Sequence, residues 1–133
     1  MKRAAVILIS GFLLFSGLSH AEAAGTTAKR FDKATKTCRI ITYQDIRDGY
    51  KLFENSCKSC HYRGNKKHAR FLYSESKVRK GWDRVFSSRY TRCAKNGSWN
   101  KLTTEQLAVI NDYLFESAAD TVGPYAKPVG KLG

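Results

Sequence analysis

Cys57-Lys58-Ser59-Cys60-His61 is the stretch from which the rest of the chain is read. Two thiols three residues apart, followed at once by an imidazole, make the C-x-x-C-H attachment signature of c-type haem. Each thiol can form a thioether to one haem vinyl group, and the next residue then presents its ring nitrogen to the iron. The motif predicts one covalent haem c, anchored by Cys57 and Cys60, with His61 as the proximal axial ligand. Two plainer readings compete. A redox dithiol needs a βαβ context, which the flanking sequence does not offer. Half a zinc site needs two more ligands at suitable spacing, and Cys38, Cys93 and His68 do not supply it.

The N-terminal end bears on the same chemistry. Met1-Lys2-Arg3 is positively charged, residues 4–18 are almost unbroken apolar or small side chains, and Ala21-Glu22-Ala23 offers an A-x-A cleavage site. That order predicts a signal peptide over 1–23 and a periplasmic or otherwise exported protein. The apolar run is too short for a membrane span, so membrane contact is expected only through partners. Covalent haem attachment in bacteria takes place outside the cytoplasm, so signal and motif support each other. A chain this small gains from a buried porphyrin, and the haem-free polypeptide is expected to fold poorly.

The 133 residues carry 24 Lys and Arg against 11 Asp and Glu, a formal net charge of +13. A field of that sign steers acidic partners. Nucleic acid is the usual partner of such a chain, but an exported protein rarely meets it, and none is expected here.

Outward from the motif the pattern is helical. Residues 24–41 read as an irregular N-terminal arm. Tyr43, Ile46, Tyr50 and Phe53 recur as one helical stripe over 43–55, with Thr42 as cap and Asp45 in the first turn. Residues 62–76 read as a polar loop whose Phe71-Leu72-Tyr73 segment can fold back on the haem. A second helix is predicted over 77–90, with Val78, Trp82, Val85 and Phe86 on its apolar face. Asn96-Gly97 is a turn signal. Thr103 with Gln106 forms a capping-box pattern ahead of the stripe Leu107, Ile110 and Leu114. Asp112 and Glu116 read as solvated helix-face charges, and no strand-like alternation of useful length is visible. The predicted domain spans 42–119, and residues 120–133 form a flexible C-terminal tail.

Gly49-x-x-x-Phe53-x-x-x-Cys57, the C-x-x-C-H itself, and Leu102–Gln106 followed by Asp112-Tyr113-Leu114 resemble the class I c-type cytochromes over about residues 43–118. The resemblance implies an all-α fold, three main helices around one haem, with the glycine letting the first and last helices cross closely. It implies single-electron transfer between redox partners. The departure lies on the distal side, where most of the family uses methionine. Here the single methionine is Met1, within the predicted signal peptide.

Several readings of the sixth position stay open. Cys93 falls where the family places its distal ligand, and its thiolate would bind ferric iron. Cys38 and Cys93 are also the two cysteines left over after haem attachment, and exported proteins favour paired cysteines, so a Cys38–Cys93 disulfide is the favoured reading. His68 would give bis-histidine ligation, but it lies in the basic loop only seven residues past His61. Asn96 and Asn100 are ligand types used by a few class I relatives, against ordinary turn chemistry. A vacant position would make the protein a small-molecule sensor or a reductase- or peroxidase-like enzyme. A haem subunit of a larger complex is a further alternative. Trp82 and Trp99 are candidate porphyrin neighbours. Lys77, Arg79, Lys80, Arg84, Arg89, Arg92 and Lys95 are a candidate docking surface for an acidic redox protein. No constellation of serine, cysteine or carboxylate suggests hydrolysis.

Overall fold

The computed structural model describes residues 28–121. The signal peptide predicted over 1–23 and nearly all of the tail predicted over 120–133 lie outside the described residues.

Residues 28–41 form a hairpin. Strand β1 (Ala28–Asp32) pairs antiparallel with β2 (Thr37–Ile41), Ala28 opposite Ile41 and Asp32 opposite Thr37. The molecule is therefore a small mixed α/β domain, which overturns the all-α expectation and the irregular arm over 24–41. The reason lies in an inverted alternation. Arg30 and Asp32 point inward at 7% and 0% exposure, while Phe31 and Ile40 point outward at 54% and 56%. The period-2 pattern exists, with its polarity reversed. The turn is equally unmarked. Lys36, not glycine, takes the left-handed conformation at φ 59°. The Asp32 carboxylate accepts from the backbone N–H of Ala34 (3.2 Å) and Thr35 (3.3 Å), and its carbonyl accepts from Lys36 N–H (2.8 Å). This is Asx-type turn chemistry.

The inward charges of the hairpin dock on the last helix. Arg30 donates to Asp112 Oδ1 (2.7 Å) and to Asp83 Oδ1 (3.0 Å), and Arg39 donates to Asp112 Oδ2 (2.7 Å). The Asn111 amide donates to Asp83 Oδ1 (3.2 Å) and Asp32 Oδ1 (3.4 Å). Asp112 is fully buried and Glu116 partly so, which corrects their reading as solvated charges. Burial pushes the Asp83 and Asp112 carboxyls above the usual range, against the pull of Arg30. At Asp32 burial pushes the same way, but the Thr35 and Ala34 donors and Arg30 together hold the carboxyl below it.

Helix α1 (Tyr43–Leu52) opens on the capping box expected from sequence: Thr42 Oγ1 accepts from Asp45 N–H (3.2 Å) and the Asp45 carboxylate accepts from Thr42 N–H (2.8 Å). Its buried face runs through Gly49 to Phe53. Tyr43 and Tyr50 are 68% and 49% exposed, so the predicted stripe is displaced. Helix α2 (Arg79–Ser88) buries Trp82, Val85 and Phe86, and Val78 serves as its half-exposed N-cap. A single-turn helix, α3 (Arg92–Lys95), follows. Helix α4 (Thr104–Glu116) has the second expected capping box, Thr103 with Gln106, and buries Leu107, Ile110 and Leu114.

α1 and α4 meet at Gly49. A Cβ there would stand 2.6 Å from Tyr113 Cβ and would also strike the Val109 carbonyl. Only glycine permits this approach. Phe53, Trp82, Phe86, Ile110 and Leu114 form the centre of the core. Among the described residues no helix is long and apolar enough to cross a membrane.

Candidate functional site

α1 does not stop at Leu52. It widens into a π-helical turn, Phe53–Cys57, closed by Lys58 N–H donating to Phe53 O (3.0 Å). Such turns are uncommon and recur at functional sites. The next turn is tight: Cys60 N–H and His61 N–H both donate to Cys57 O, at 3.2 and 2.9 Å. Cys57, Cys60 and His61 thereby all come to line one cavity of about 570 Å³. That volume falls within the roughly 300–1,000 Å³ range of ligand and cofactor sites.

His61 is held by backbone. Its Nδ1 lies 2.6 Å from the Arg70 carbonyl oxygen. A carbonyl can only accept, so Nδ1 carries the proton and Nε2 keeps its lone pair free for a metal. The loop that supplies this carbonyl is pinned from within. Asn65 Nδ2 donates to Tyr62 O (2.8 Å) and Ala69 O (2.6 Å), and its Oδ1 accepts from Ala69 N–H (2.9 Å). Leu72 N–H donates to His61 O (3.1 Å) and Lys58 Nζ to Leu72 O (3.1 Å). Leu72 does fold back onto the cavity; Phe71 and Tyr73 do not line it. Phe71 lies beside the Lys58 ammonium, 4.4 Å from ring centre.

The two thiols are unequal. Burial pushes the Cys57 thiol up to about 12, with the neighbouring Cys93 and Cys60 adding to the rise. Cys60 moves the other way, because the Lys67 ammonium lies 3.3 Å from its sulfur and the Ser59 hydroxyl is also in reach.

A further stretch of the cavity wall comes from α2, α3 and the segment beyond. Trp82 lines it, with its indole N–H satisfied by Ser74 O (2.7 Å). Trp99 stacks on Phe86, ring centres 5.2 Å apart and 18° between planes. Cys93, from α3, completes this wall, and the Thr91 hydroxyl lies 3.3 Å from its sulfur. Lys67, Arg70, Lys77 and Arg92 place cationic side chains at the cavity.

Of the sixth-position candidates, His68, Cys93 and Asn96 line the cavity, and Asn100 does not. Cys38 lies on exposed β2 opposite Phe31, while Cys93 lies in the cavity wall; both are free thiols, and the structure does not join them. Among the described residues no group of three or more His, Cys, Asp or Glu is arranged to hold a metal ion by itself, so the two motif thiols gain no further zinc ligands. Of the candidate docking cations, Arg79 is turned inward: its Nε donates to Phe115 O (3.2 Å) and its backbone N–H to Asp120 (2.9 Å).

The residues present fit a haem. The lining offers two thiols, an oriented imidazole and flat aromatic surface, and its cations are of the right charge for two propionates. Sequence reasoning missed Arg70 as the partner of His61, because a backbone carbonyl leaves no residue-type signal. It also missed Thr91, for which only proximity to Cys93 in sequence gave a hint. In comparisons with known proteins, no family model, no curated protein and no solved structure matches the chain.

Proposed function

We propose that the chain is an exported monohaem c-type cytochrome that passes single electrons between redox partners. One observation carries this reading: a single cavity brings together Cys57, Cys60 and the free ring nitrogen of His61. When bound, the haem supplies a one-electron couple at its iron. The chain does the rest. Cys57 and Cys60 hold the group by two thioethers. The Arg70 carbonyl fixes the His61 ring and raises its basicity as a ligand. Trp82, Phe86 and Trp99 keep water from the flat faces, and a dry, low-dielectric surround tunes the potential. Arg70, Lys77 and Arg92, which line the cavity, would be the cations available to the propionates. Exposed Lys80, Arg84, Arg89 and Lys95 then give an encounter surface for an acidic protein, whose docking rate falls as salt rises.

The test is spectroscopic. The chain is secreted from a bacterial host that attaches c-type haem, then denatured and extracted with acidified acetone. Haem that stays with the polypeptide and gives a reversible reduced-minus-oxidised spectrum supports the reading. Haem that extracts freely, or no haem at all, contradicts it.

A further inference from the structure

Besides His61 and the two motif thiols, three side chains able to bind a metal line the cavity, and their surroundings are not alike. His68 belongs to the same loop as Arg70, whose carbonyl is bonded to the His61 ring at 2.6 Å. The Asn65 amide ties that loop down at Tyr62 and Ala69. His68 is thus anchored with the His61 wall, and it adopts a left-handed backbone at φ 52°. Asn96 lines the cavity, but its side-chain oxygen is already spent: it accepts from Ser98 N–H (3.1 Å) and from the Ser98 hydroxyl (2.6 Å). Cys93 lines the cavity near the Cys57 thiol. It is not joined to another cysteine, and among the described residues its hydrogen-bond partner is the Thr91 hydroxyl at 3.3 Å. The chain has no methionine other than Met1 to serve in its place.

We infer that Cys93 would supply the second protein ligand to the metal beside His61, bound through sulfur as a thiolate. The inference rests on the haem reading above. The Thr91 hydroxyl has the right chemistry to support it. A thiolate only accepts, so Thr91 donates, stabilising the negative sulfur and setting its direction. On binding, Cys93 gives its thiol proton to water and forms one sulfur–iron bond, with no change of oxidation state. An anionic sulfur favours ferric over ferrous iron, so the couple is a low-potential one. Cys93 sits on the single turn of α3, between the aromatic face of α2 and Trp99. The ligand is carried on a four-residue helix with no buried residues and not on a core helix.

The experiment uses the secreted haem-bearing protein, its intact mass and its ferric electron paramagnetic resonance spectrum. The unaltered protein is expected to be low-spin with the narrow g-spread of thiolate ligation, and slow to bind cyanide. Cys93→Ala is expected to lose that signal, become high-spin and bind cyanide at least tenfold faster. Cys93→Met is expected to stay low-spin with a raised midpoint potential. His68→Ala is expected to leave the ferric spectrum unchanged. The spectrum of the unaltered protein decides even where a variant fails to fold. A haem-bearing protein without the thiolate signature, a Cys93→Ala variant that keeps it, or a His68→Ala variant that loses it overturns the inference alone. A mass with no added haem overturns the inference and the cytochrome reading together.

Discussion

On one face of α4, Arg30 lies between Asp112 and Asp83 at 2.7 and 3.0 Å, and Arg39 closes on Asp112 from the other side. Another face of the same helix presents Leu114 to a cavity of about 570 Å³, bounded by aromatic rings, three cysteines and a loop held by one asparagine. The hairpin side is filled by its own side chains, tied by hydrogen bonds and ion pairs among Arg30, Arg39, Asp83, Asn111 and Asp112. The cavity side is a well-formed wall with no protein filling. An apolar cleft of this size, lined by a few placed polar groups, has the character of a ligand site. One helix therefore has a structural face, completed by the chain, and a face that the proposed reading gives to a haem.

The sharpest way to break this contrast is to deny the cavity its occupant. A Cys57→Ala/Cys60→Ala double variant, secreted from a host that attaches c-type haem, should lose amide protection through α2, α3 and the loop over 62–72. The hairpin, α1 and α4 should keep more of theirs. Hydrogen exchange read by mass spectrometry gives the answer. Equal loss on both sides would mean the hairpin cluster does not stabilise its own half.

The second test attacks the other face. Arg30→Ala leaves Asp32, Asp83 and Asp112 without their central cation, and breaking a buried charge network this way costs about 3–5 kcal/mol. Urea unfolding should show the loss, with the haem spectrum of the remaining folded fraction unchanged. A smaller effect is expected at the joint between the two faces. Gly49→Ala forces a methyl against Val109 and Tyr113 and should cost about 1–3 kcal/mol as overpacking. A neutral result would show that α1 and α4 slide apart freely.

The smallest effect follows from protons. The Asp83 carboxyl lies above its unfolded value, so the fold binds that proton more tightly than the unfolded chain does. Stability owed to it is present at low pH and is lost as pH rises through the folded value. Asp83→Asn removes the titration. Its stability deficit should therefore be largest near pH 4 and shrink toward pH 7. A deficit that grows with pH would place the Asp83 carboxyl below its usual range and reverse the sign.

The same contrast explains what was legible in the sequence. The cavity wall was readable because its chemistry is local: Cys57, Cys60 and His61 share one turn, and Gly49 and Phe53 precede them at helical spacing. Both capping boxes were readable for the same reason, each closing within three residues. The hairpin cluster was not, because it inverts the rule on which strand reading rests. Arg30 and Asp32 go in, Phe31 and Ile40 go out, and Lys36 stands where glycine would mark the turn. Asp112 looked solvated because its partners, Arg30 and Arg39, lie 82 and 73 residues away in the chain. Charge pairs of that separation leave no local pattern. The pairing of Cys93 with Cys38 rests on counting cysteines, and counting carries no information about where a sulfur lies in the fold; here Cys38 is exposed and Cys93 lines the cavity.

The central claim is that two sulfurs of this chain are bonded to a porphyrin whose metal is held by His61. Intact-mass measurement of the secreted protein tests it most directly. The account predicts the polypeptide plus one haem, with the added mass lost in the Cys57→Ala/Cys60→Ala variant. A bare polypeptide mass for the unaltered protein contradicts it.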